Sequence, residues 1–343
     1  MSNWSDLKNT PRLKDIFNTR ISIIKLIREF FWFQGFIEIE TPLAVRLASQ
    51  EPYLNPLPLT IHDPNSNSER FYLRTSPEYS LKKILAAGYE KIFEVGKCFR
   101  DFESFGGNHN TEFTMIEWYR APGTYQDIMN DTEELFKFVG KKLNKETFMY
   151  RNNTIDISAP WDRFSMKEVW KKFITIDLDD FLEKDRLVEL AKSRGHSVQA
   201  DDAYEDVFYK IFLNEIEPYL GVERPVFVYD YPMCMTSLSQ SCEDARYAQR
   251  FELYIGGLEM ANAFGELVDA LKQKKNLEED REKRKALNKE TWPVDPDFIA
   301  ALQSGISPAG GIALGVDRMV LLFTEAKDIN EVIFQSVKDQ INI

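Results

Sequence analysis

Residues 309–318 read AGGIALGVDR, and residues 99–120 read FRDFESFGGNHNTEFTMIEWYR. In the first stretch, small residues predict a strand over 309–315, and apolar periodicity predicts a helix over 316–324. Arg318 then lies in the first turn of that helix, where free backbone N–H groups and the helix dipole favour anions. The sequence therefore predicts an anion site at the start of this helix.

The second stretch predicts two strands, over 91–100 and 111–121, joined by a polar loop with two glycines. Side chains alternate along a strand, so one face of the second strand carries Phe113, Met115, Glu117 and Tyr119. Arg100 ends the first strand. A single arginine in such a place is usually a solvated or salt-bridged structural residue. The two arginines together, Arg100 and Arg318, indicate a site for the phosphates of ATP.

These stretches resemble the catalytic sheet of the class II aminoacyl-tRNA synthetases, which carries a strand-loop-strand motif with one arginine and a strand-helix motif that ends in another. A third family motif is similar to residues 30–42, FFWFQGFIEIETP, where a helix, a glycine turn and a strand lead to Pro42. The resemblance implies an α+β fold with an antiparallel sheet flanked by helices. It also implies a homodimer whose interface is formed by residues 30–42.

Within this family the chain is similar to the lysine branch. The similar segments are 75–79 (TSPEY), 109–119 (HNTEFTMIEWY) and 256–267 (GGLEMANAFGEL), and the resemblance runs from about residue 15 to about residue 335. The TSPEY run, Ala313 in place of a glycine, and the length of 343 residues favour the short paralogues of the branch, the elongation factor P β-lysine ligases.

The resemblance implies a role for each matching residue. Arg100 and Arg318 are expected to be catalytic, and Phe113 is expected to stack on adenine. The expected ATP contacts are Arg100, Asp101, Phe102, Glu103, His109, Asn110, Phe113, Glu259, Met260, Gly315 and Arg318. The expected amino-acid contacts are Ser76, Pro77, Glu78, Glu117, Tyr119, Asn262, Glu266 and Ala313.

The loop between the two strands departs from the family pattern. Relatives have Arg-Asn-Glu after the strand and His-Asn-Pro-Glu further on, whereas this chain has RDFE at 100–103 and HNTE at 109–112. The loop is also longer than expected by one residue. Either Glu103 takes the role of the missing acid, or that contact with ATP is weakened.

Residues 250–264, RFELYIGGLEMANAF, predict a β-hairpin with Gly256-Gly257 as its two-residue turn. Tyr254 then lies opposite Glu259, and Glu252 lies on the same face one pleat away. The pattern alone is equally compatible with two solvent-facing glutamates. Converging carboxylates repel unless a cation lies between them, and Mg²⁺ prefers oxygen ligands. The resemblance implies that Glu252 and Glu259 hold Mg²⁺ on ATP.

The chain organisation predicts one catalytic domain over 1–343, with a helical insertion over about 125–220. Because the motif over 30–42 comes so early and the last helix so late, we expect no anticodon-binding domain. The charged residues 267–290 predict a solvated helix without chemistry.

The net charge of −12 argues weakly against a tRNA partner. No apolar run long enough for a membrane span occurs, and three cysteines without paired or metal-ligand spacing predict a cytoplasmic protein without zinc.

The acidic residues suggest a diamino acid as substrate. Two ammonium groups require separated anions, which Glu78, Glu117 and Glu266 can supply, while Arg100 and Asn262 can orient the carboxylate. The expected reaction is attack of that carboxylate on the α-phosphorus of ATP. The resemblance implies (R)-β-lysine as the donor and a lysine side chain of elongation factor P as the acceptor. Two other hypotheses remain: a lysine-activating enzyme that charges tRNA or a small acceptor, and a regulatory subunit without catalytic activity.

Overall fold

A computed structural model describes residues 4–341 of the chain. The helices and strands are, in chain order, α1 (Trp4–Asn9), α2 (Pro11–Phe33), β1 (Ile37–Glu38), β2 (Ala44–Val45), β3 (Pro58–His62), β4 (Ser68–Leu73), α3 (Glu78–Ala86), β5 (Lys91–Phe99), β6 (Glu112–Arg120), α4 (Tyr125–Leu143), β7 (Thr147–Tyr150), β8 (Asn153–Asp156), β9 (Asp162–Ser165), α5 (Met166–Ile174), α6 (Lys184–Ser193), α7 (Tyr204–Glu215), β10 (Val226–Pro232), β11 (Tyr247–Ile255), β12 (Leu258–Gly265), α8 (Ala270–Ala286), α9 (Pro296–Ser304), β13 (Gly310–Gly315), α10 (Val316–Thr324) and α11 (Val337–Ile341).

The first compact unit comprises the chain up to Thr124 together with the chain from Leu267 onward. Its main strands lie in the order β1-β5-β6-β13, with β1 parallel to β5 and the other neighbours antiparallel. Helix α2 covers this sheet because Phe31 stacks on Phe93 of β5, with ring centroids 5.0 Å apart. A smaller sheet has the order β2-β4-β3.

The second unit spans Tyr125–Glu266. Its strands lie in the order β9-β10-β11-β12, with β9 parallel to β10 and the other pairs antiparallel. Helices α5 and α7 pack on this sheet through a buried aromatic and aliphatic core that includes Trp170, Phe208 and Tyr254. Strands β7 and β8 form a separate hairpin.

The predicted fold class, an α+β arrangement with a largely antiparallel sheet flanked by helices, is confirmed. The predicted strands over 91–100, 111–121 and 309–315 are β5, β6 and β13, with ends that differ by one residue at most. The region 125–220 is mainly helical, but it also contains β7, β8 and β9. These strands have only four residues each, too few for alternation to show in the sequence. The single-domain organisation stays a prediction.

The expectation of a solvated helix over residues 267–290 is only half right. Helix α8 forms there, but one side of it buries Gln273, Leu277, Asp280 and Arg284. These positions recur every three or four residues, as expected for one face of a helix. The pattern was missed because three of the four buried residues are polar. Among residues 4–341, no helix is long and apolar enough to cross a membrane.

Candidate active site

Glu117 lies at the centre of the four-stranded sheet of the first unit. It is paired with Glu94 of β5 on one side and with Ala313 of β13 on the other. The Ser76 hydroxyl donates to Glu117 Oε1 at 2.5 Å, and the Tyr119 hydroxyl donates to Oε2 at 3.1 Å. This contact confirms that the carboxylate and the phenol share a face. Burial, together with the nearby Glu78 carboxylate, raises the pKa of Glu117 to about 8.

Glu94 is neutralised by Arg74, a residue that the sequence analysis did not select. The Arg74 guanidinium lies 2.7 Å from Glu94, and both side chains are buried. Gly96 makes this possible, because a Cβ atom at that position would lie 2.3 Å from Arg74 Nη2. Glu94 therefore has a cationic partner. Glu117, opposite it on the same sheet face, forms no ion pair within residues 4–341.

Glu78 begins helix α3, with Pro77 as the residue before the first turn. Its carboxylate accepts from Lys82 Nζ at 2.5 Å, and the Lys82 side chain is almost fully buried. Its backbone N–H donates to Ser76 Oγ at 3.0 Å. Ser76 and Glu78 line a cavity of about 350 Å³, together with Tyr79 and Asp295. Two of the predicted amino-acid contacts, Ser76 and Glu78, therefore border a space that can hold a ligand.

The two predicted catalytic arginines have different surroundings. Arg100 lies over the ring of Phe113, with 5.1 Å from the guanidinium carbon to the ring centroid, and its Nε is buried without a hydrogen-bond partner in residues 4–341. Arg318 lies in the first turn of α10, after Gly315 as the N-cap. It donates to the backbone oxygen of Asn108 at 3.4 Å.

Arg318 also connects to the loop between β5 and β6. Its Nη2 donates to His109 Nε2 at 3.3 Å, which assigns the ring proton to Nδ1, 2.8 Å from Glu103. The hydrogen bond from His109 lowers the pKa of Glu103, and Arg100 and Arg318 lower it further. Relatives have an acid at the position that follows Arg-Asn, where this chain has Phe102. These contacts favour Glu103 as the residue that takes the role of that acid.

Three other loop residues have contacts that do not by themselves indicate ATP. Phe102 is 88% exposed in a left-handed conformation, and its N–H donates to the Asp101 carboxylate. Asn110 donates to Glu112 O at 2.6 Å and accepts from the Val337 N–H at 3.3 Å, so both ends of its amide hold the chain in place. The ATP contacts assigned to these three residues stay predictions.

Asp317 joins three elements of the first unit and was not selected from the sequence. It accepts from Arg20 of α2 at 2.5 Å and from the backbone N–H of Thr114 at 2.7 Å. Arg20 also donates to the Thr114 hydroxyl at 2.8 Å. The start of α10, and with it Arg318, is therefore fixed to β6.

In the second unit, the predicted hairpin is present with Gly256-Gly257 as its turn, and Tyr254 pairs with Glu259. The register then shifts, because Leu253 pairs with Ala261 and leaves Met260 as an extra residue. This β-bulge places Asn262 opposite Glu252, on the same face as Glu259. Strict alternation would have put Asn262 on the other face. Glu266 is buried just after β12.

The predicted magnesium ligands differ in their contacts. Glu252 already accepts from Arg250 at 2.6 Å, from Tyr231 at 2.7 Å and from Tyr254. Within residues 4–341, no three His, Cys, Asp or Glu side chains cluster as a metal site. Mg²⁺ commonly completes its coordination with phosphate oxygens and water, so a single carboxylate such as Glu259 can suffice, and its role as a ligand stays a prediction. The contacts of Glu252 do not favour a ligand role. In residues 4–341, the buried Asn262 Oδ1 has no hydrogen-bond partner, which fits its predicted contact with substrate.

The sequence matches the family described as tRNA synthetases class II (D, K and N) over residues 2–337. The chain belongs to this family.

Particular relatives are lysine-tRNA ligases. The chain is 37% identical over 337 residues to that of Pelotomaculum thermopropionicum, covering 96% of this chain and 65% of the relative. The ligase of Thermoanaerobacter pseudethanolicus is 36% identical over 335 residues, with the same coverage of 96% and 65%. That of Dehalococcoides mccartyi strain CBDB1 is 35% identical over 341 residues, covering 98% and 67%. The chain thus spans about 65% of the length of the first two relatives.

Proposed function

We propose that the protein activates a lysine-type diamino acid with ATP and transfers the acyl group to an amine. The observation that carries the proposal is the buried Glu117 carboxyl, held by Ser76 and Tyr119 on the sheet that also positions Arg100 and Arg318. Glu117 can receive an ammonium group, and the arginines can receive phosphates. Membership of the family and the lysine-tRNA ligase relatives support this assignment.

In the first step, a carboxylate oxygen of the amino acid attacks the α-phosphorus of ATP. The bond between that phosphorus and the bridging oxygen breaks, and pyrophosphate leaves with the electron pair. Arg100 and Arg318 stabilise the negative charge that develops on the phosphates, so no protein nucleophile is required. Magnesium, when bound beside Glu259, would neutralise further phosphate charge.

In the second step, an acceptor amine attacks the acyl carbon, and AMP leaves as the amide forms. We propose (R)-β-lysine as the donor and a lysine side chain of elongation factor P as the acceptor, in the cytoplasm. Support comes from Ala313, whose methyl group lies beside Glu117 in the strand register, and from the TSPEY run over 75–79. A tRNA acceptor is the alternative, favoured by the names of the relatives.

The experiment is ATP-pyrophosphate exchange with α-lysine and with (R)-β-lysine, followed by incubation with elongation factor P and with lysine tRNA. We expect exchange, and a mass increase of elongation factor P by one β-lysyl group. Arg100→Ala and Arg318→Ala should each lower the exchange rate by about 100-fold or more, because each removes a cation directed at phosphate. Arg186→Ala, which changes an exposed arginine of α6, serves as the matched control.

The outcomes separate the hypotheses. Charging of tRNA without modification of elongation factor P would favour the alternative acceptor. Exchange that persists at a near-normal rate in both arginine variants would contradict the proposed activation chemistry. A protein that binds ATP but shows no exchange with either isomer would be a regulatory subunit.

A further inference from the structure

We infer that Arg20 of α2 is a positioning residue for the nucleotide site and that it acts through Asp317 to hold Arg318 in place for the phosphates of ATP. The inference rests on the proposed function. It deepens that function by naming a residue outside the sequence motifs that supports the expected phosphate contact from the other side of the sheet.

Helix α2 and the expected ligand contacts lie on opposite faces of the sheet. Along β6, Phe113, Met115 and Glu117 share one face, so Thr114 faces the other side. On that side, Arg20 Nη2 donates to the Thr114 hydroxyl at 2.8 Å. Since Arg20 lies on the side away from the expected ligand, its effect on ATP must pass through other residues.

Arg20, Thr114 and Asp317 form a closed ring of hydrogen bonds. Arg20 Nη1 donates to Asp317 Oδ1 at 2.5 Å, and the backbone N–H of Thr114 donates to Asp317 Oδ2 at 2.7 Å. The side chains of Arg20 and Asp317 are 12% and 4% exposed, so solvent and salt screen the ion pair little. Because both oxygens of Asp317 accept hydrogen bonds, the orientation of its carboxylate is fixed.

Asp317 transmits this order to Arg318. The two residues are neighbours in the first turn of α10, and the N-cap of that helix, Gly315, pairs with Met115 of β6. The ring adds a second connection between α10 and β6, two residues further along the chain. The start of α10 is therefore held from its backbone and from a side chain, and the backbone position of Arg318 follows from both.

Arg20 also neutralises a charge that would oppose the binding of ATP. Asp317 is an acid at the start of α10, where the backbone N–H groups and the helix dipole favour a phosphate. Without Arg20, the unpaired carboxylate would attract the neighbouring Arg318 and repel the phosphates. The ion pair with Arg20 leaves the positive charge of Arg318 available to the nucleotide.

The test compares Arg20→Met with the wild type by calorimetry of ATP binding and by ATP-pyrophosphate exchange. We expect the ATP affinity and the kcat/KM for ATP to fall by about 10- to 100-fold, because a small displacement of a positioned group is costly. The KM for the diamino acid should stay near the wild-type value. Lys25→Met, which removes a cation that is 75% exposed on the same helix, is the matched control and should match the wild type.

A double variant distinguishes positioning from a general loss of structure. If Arg20 acts through Arg318, then Arg20→Met should lower the ATP affinity much less in the Arg318→Ala background than in the wild type. A merely structural role predicts the same loss in both backgrounds.

Thr114→Val keeps the test decisive if Arg20→Met does not fold. It removes one acceptor of the ring and leaves the ion pair between Arg20 and Asp317 in place. We expect the ATP affinity to fall by about three- to tenfold, the usual effect of one lost hydrogen bond, with a melting temperature close to that of the wild type.

Equal losses in the two backgrounds, or an unchanged ATP affinity in Thr114→Val and Arg20→Met, would overturn the role of Arg20. Calorimetry separates this result from failure of the proposed function. A wild type that binds ATP without exchange, and binds it less tightly as Arg20→Met, would contradict activation but support the positioning role. A wild type that does not bind ATP would contradict both.

Discussion

Glu117 combines two tendencies that oppose each other. Burial and the neighbouring Glu78 disfavour its charge, while the hydroxyls of Ser76 and Tyr119 favour it. The net result is a pKa of about 8, so the carboxyl carries its proton at neutral pH in the ligand-free protein. An incoming ammonium group favours the carboxylate, so binding of the amino acid is expected to release this proton.

We predict that the apparent affinity for the diamino acid rises as the pH increases through about 8, since the carboxylate is the binding form. The pH profile of kcat/KM for the amino acid measures this effect, and calorimetry in two buffers with different ionisation enthalpies detects the released proton. Glu117→Gln should remove both signals. A profile that is the same in wild type and Glu117→Gln would contradict the assignment.

The same pKa has a consequence for stability. The folded protein keeps the Glu117 proton up to about pH 8, whereas the unfolded chain loses it near the ordinary value of 4.5. Between these values the folded state binds more protons, so the contribution of Glu117 to the free energy of unfolding falls as the pH rises. Thermal melting of the wild type should therefore lose more stability across this range than melting of Glu117→Gln.

Ala313 is the second residue for which a substitution has a specific expected effect. It lies opposite Glu117 on β13, with Gly311 and Gly315 at the neighbouring positions of the same face. Its methyl group is expected to narrow the space beside the carboxylate. Ala313→Gly should raise kcat/KM for α-lysine relative to β-lysine by about tenfold, because a methyl group in a pocket is worth about 1–3 kcal/mol in discrimination. An unchanged ratio would make Ala313 a purely structural residue.

At the scale of elements, the longer loop between β5 and β6 is held by the segment after α10. The Gly107 N–H donates to Asp328 Oδ2 at 2.9 Å, and the Ile329 N–H donates to Gly107 O at 2.9 Å. Gly106 allows this contact, because a Cβ atom there would lie 2.9 Å from Asn330 Nδ2. The loop that departs from the family pattern is therefore held twice, by Arg318 at His109 and by residues 328–329 at Gly107.

We predict that Asp328→Ala raises the KM for ATP by roughly tenfold with a smaller change in kcat, because the loop loses a charge-assisted hydrogen bond that orders it. Asp328→Asn, which keeps an acceptor oxygen, should recover most of the loss. Initial rates at varied ATP measure this, and Asp201→Ala, an exposed acid of the second unit, is the control. An unchanged KM for ATP would show that the anchor is not required for nucleotide binding.

Two other elements show where local patterns mislead. The bulge at Met260 reverses the faces of β12, so that Glu259 and Asn262 lie together although they are three positions apart. Helix α8 buries Asp280 and Arg284, although its sequence is mostly polar. The bulge appears only in the pairing of β12 with β11, and the partners of Arg284 include the backbone oxygens of Glu51 and Leu54. A periodicity rule that considers one element at a time has no access to either.

At the scale of the whole molecule, the segment 30–42 exposes large apolar side chains. Phe33 is 91% exposed, Trp32 is 53% exposed, and Ile37 is 49% exposed. Large apolar side chains that are exposed within one short segment are typical of interaction sites. It supports the proposed homodimer, in which the same surface of two chains is buried.

We predict that the protein is a dimer at micromolar concentration and that Phe33→Glu shifts it to a monomer, because a charge would be buried in the interface. Light scattering measures the mass. Leu271→Glu, which changes a side chain that is 77% exposed on α8, should leave the mass unchanged. A wild-type monomer under these conditions would contradict the proposed interface.

The sequence by itself determined the elements that carry the arginines, the shared face of Glu117 and Tyr119, and the Gly256-Gly257 turn, because these depend on spacing along a single element or hairpin. Only the tertiary structure decided the partners of these groups. Arg284 reaches Glu51 across 233 positions, and Asp328 reaches Gly107 across 221. Such contacts depend on how distant segments pack. The residues involved are polar, and a polar residue gives no signal in the sequence that shows whether its side chain is buried and bonded or exposed to solvent.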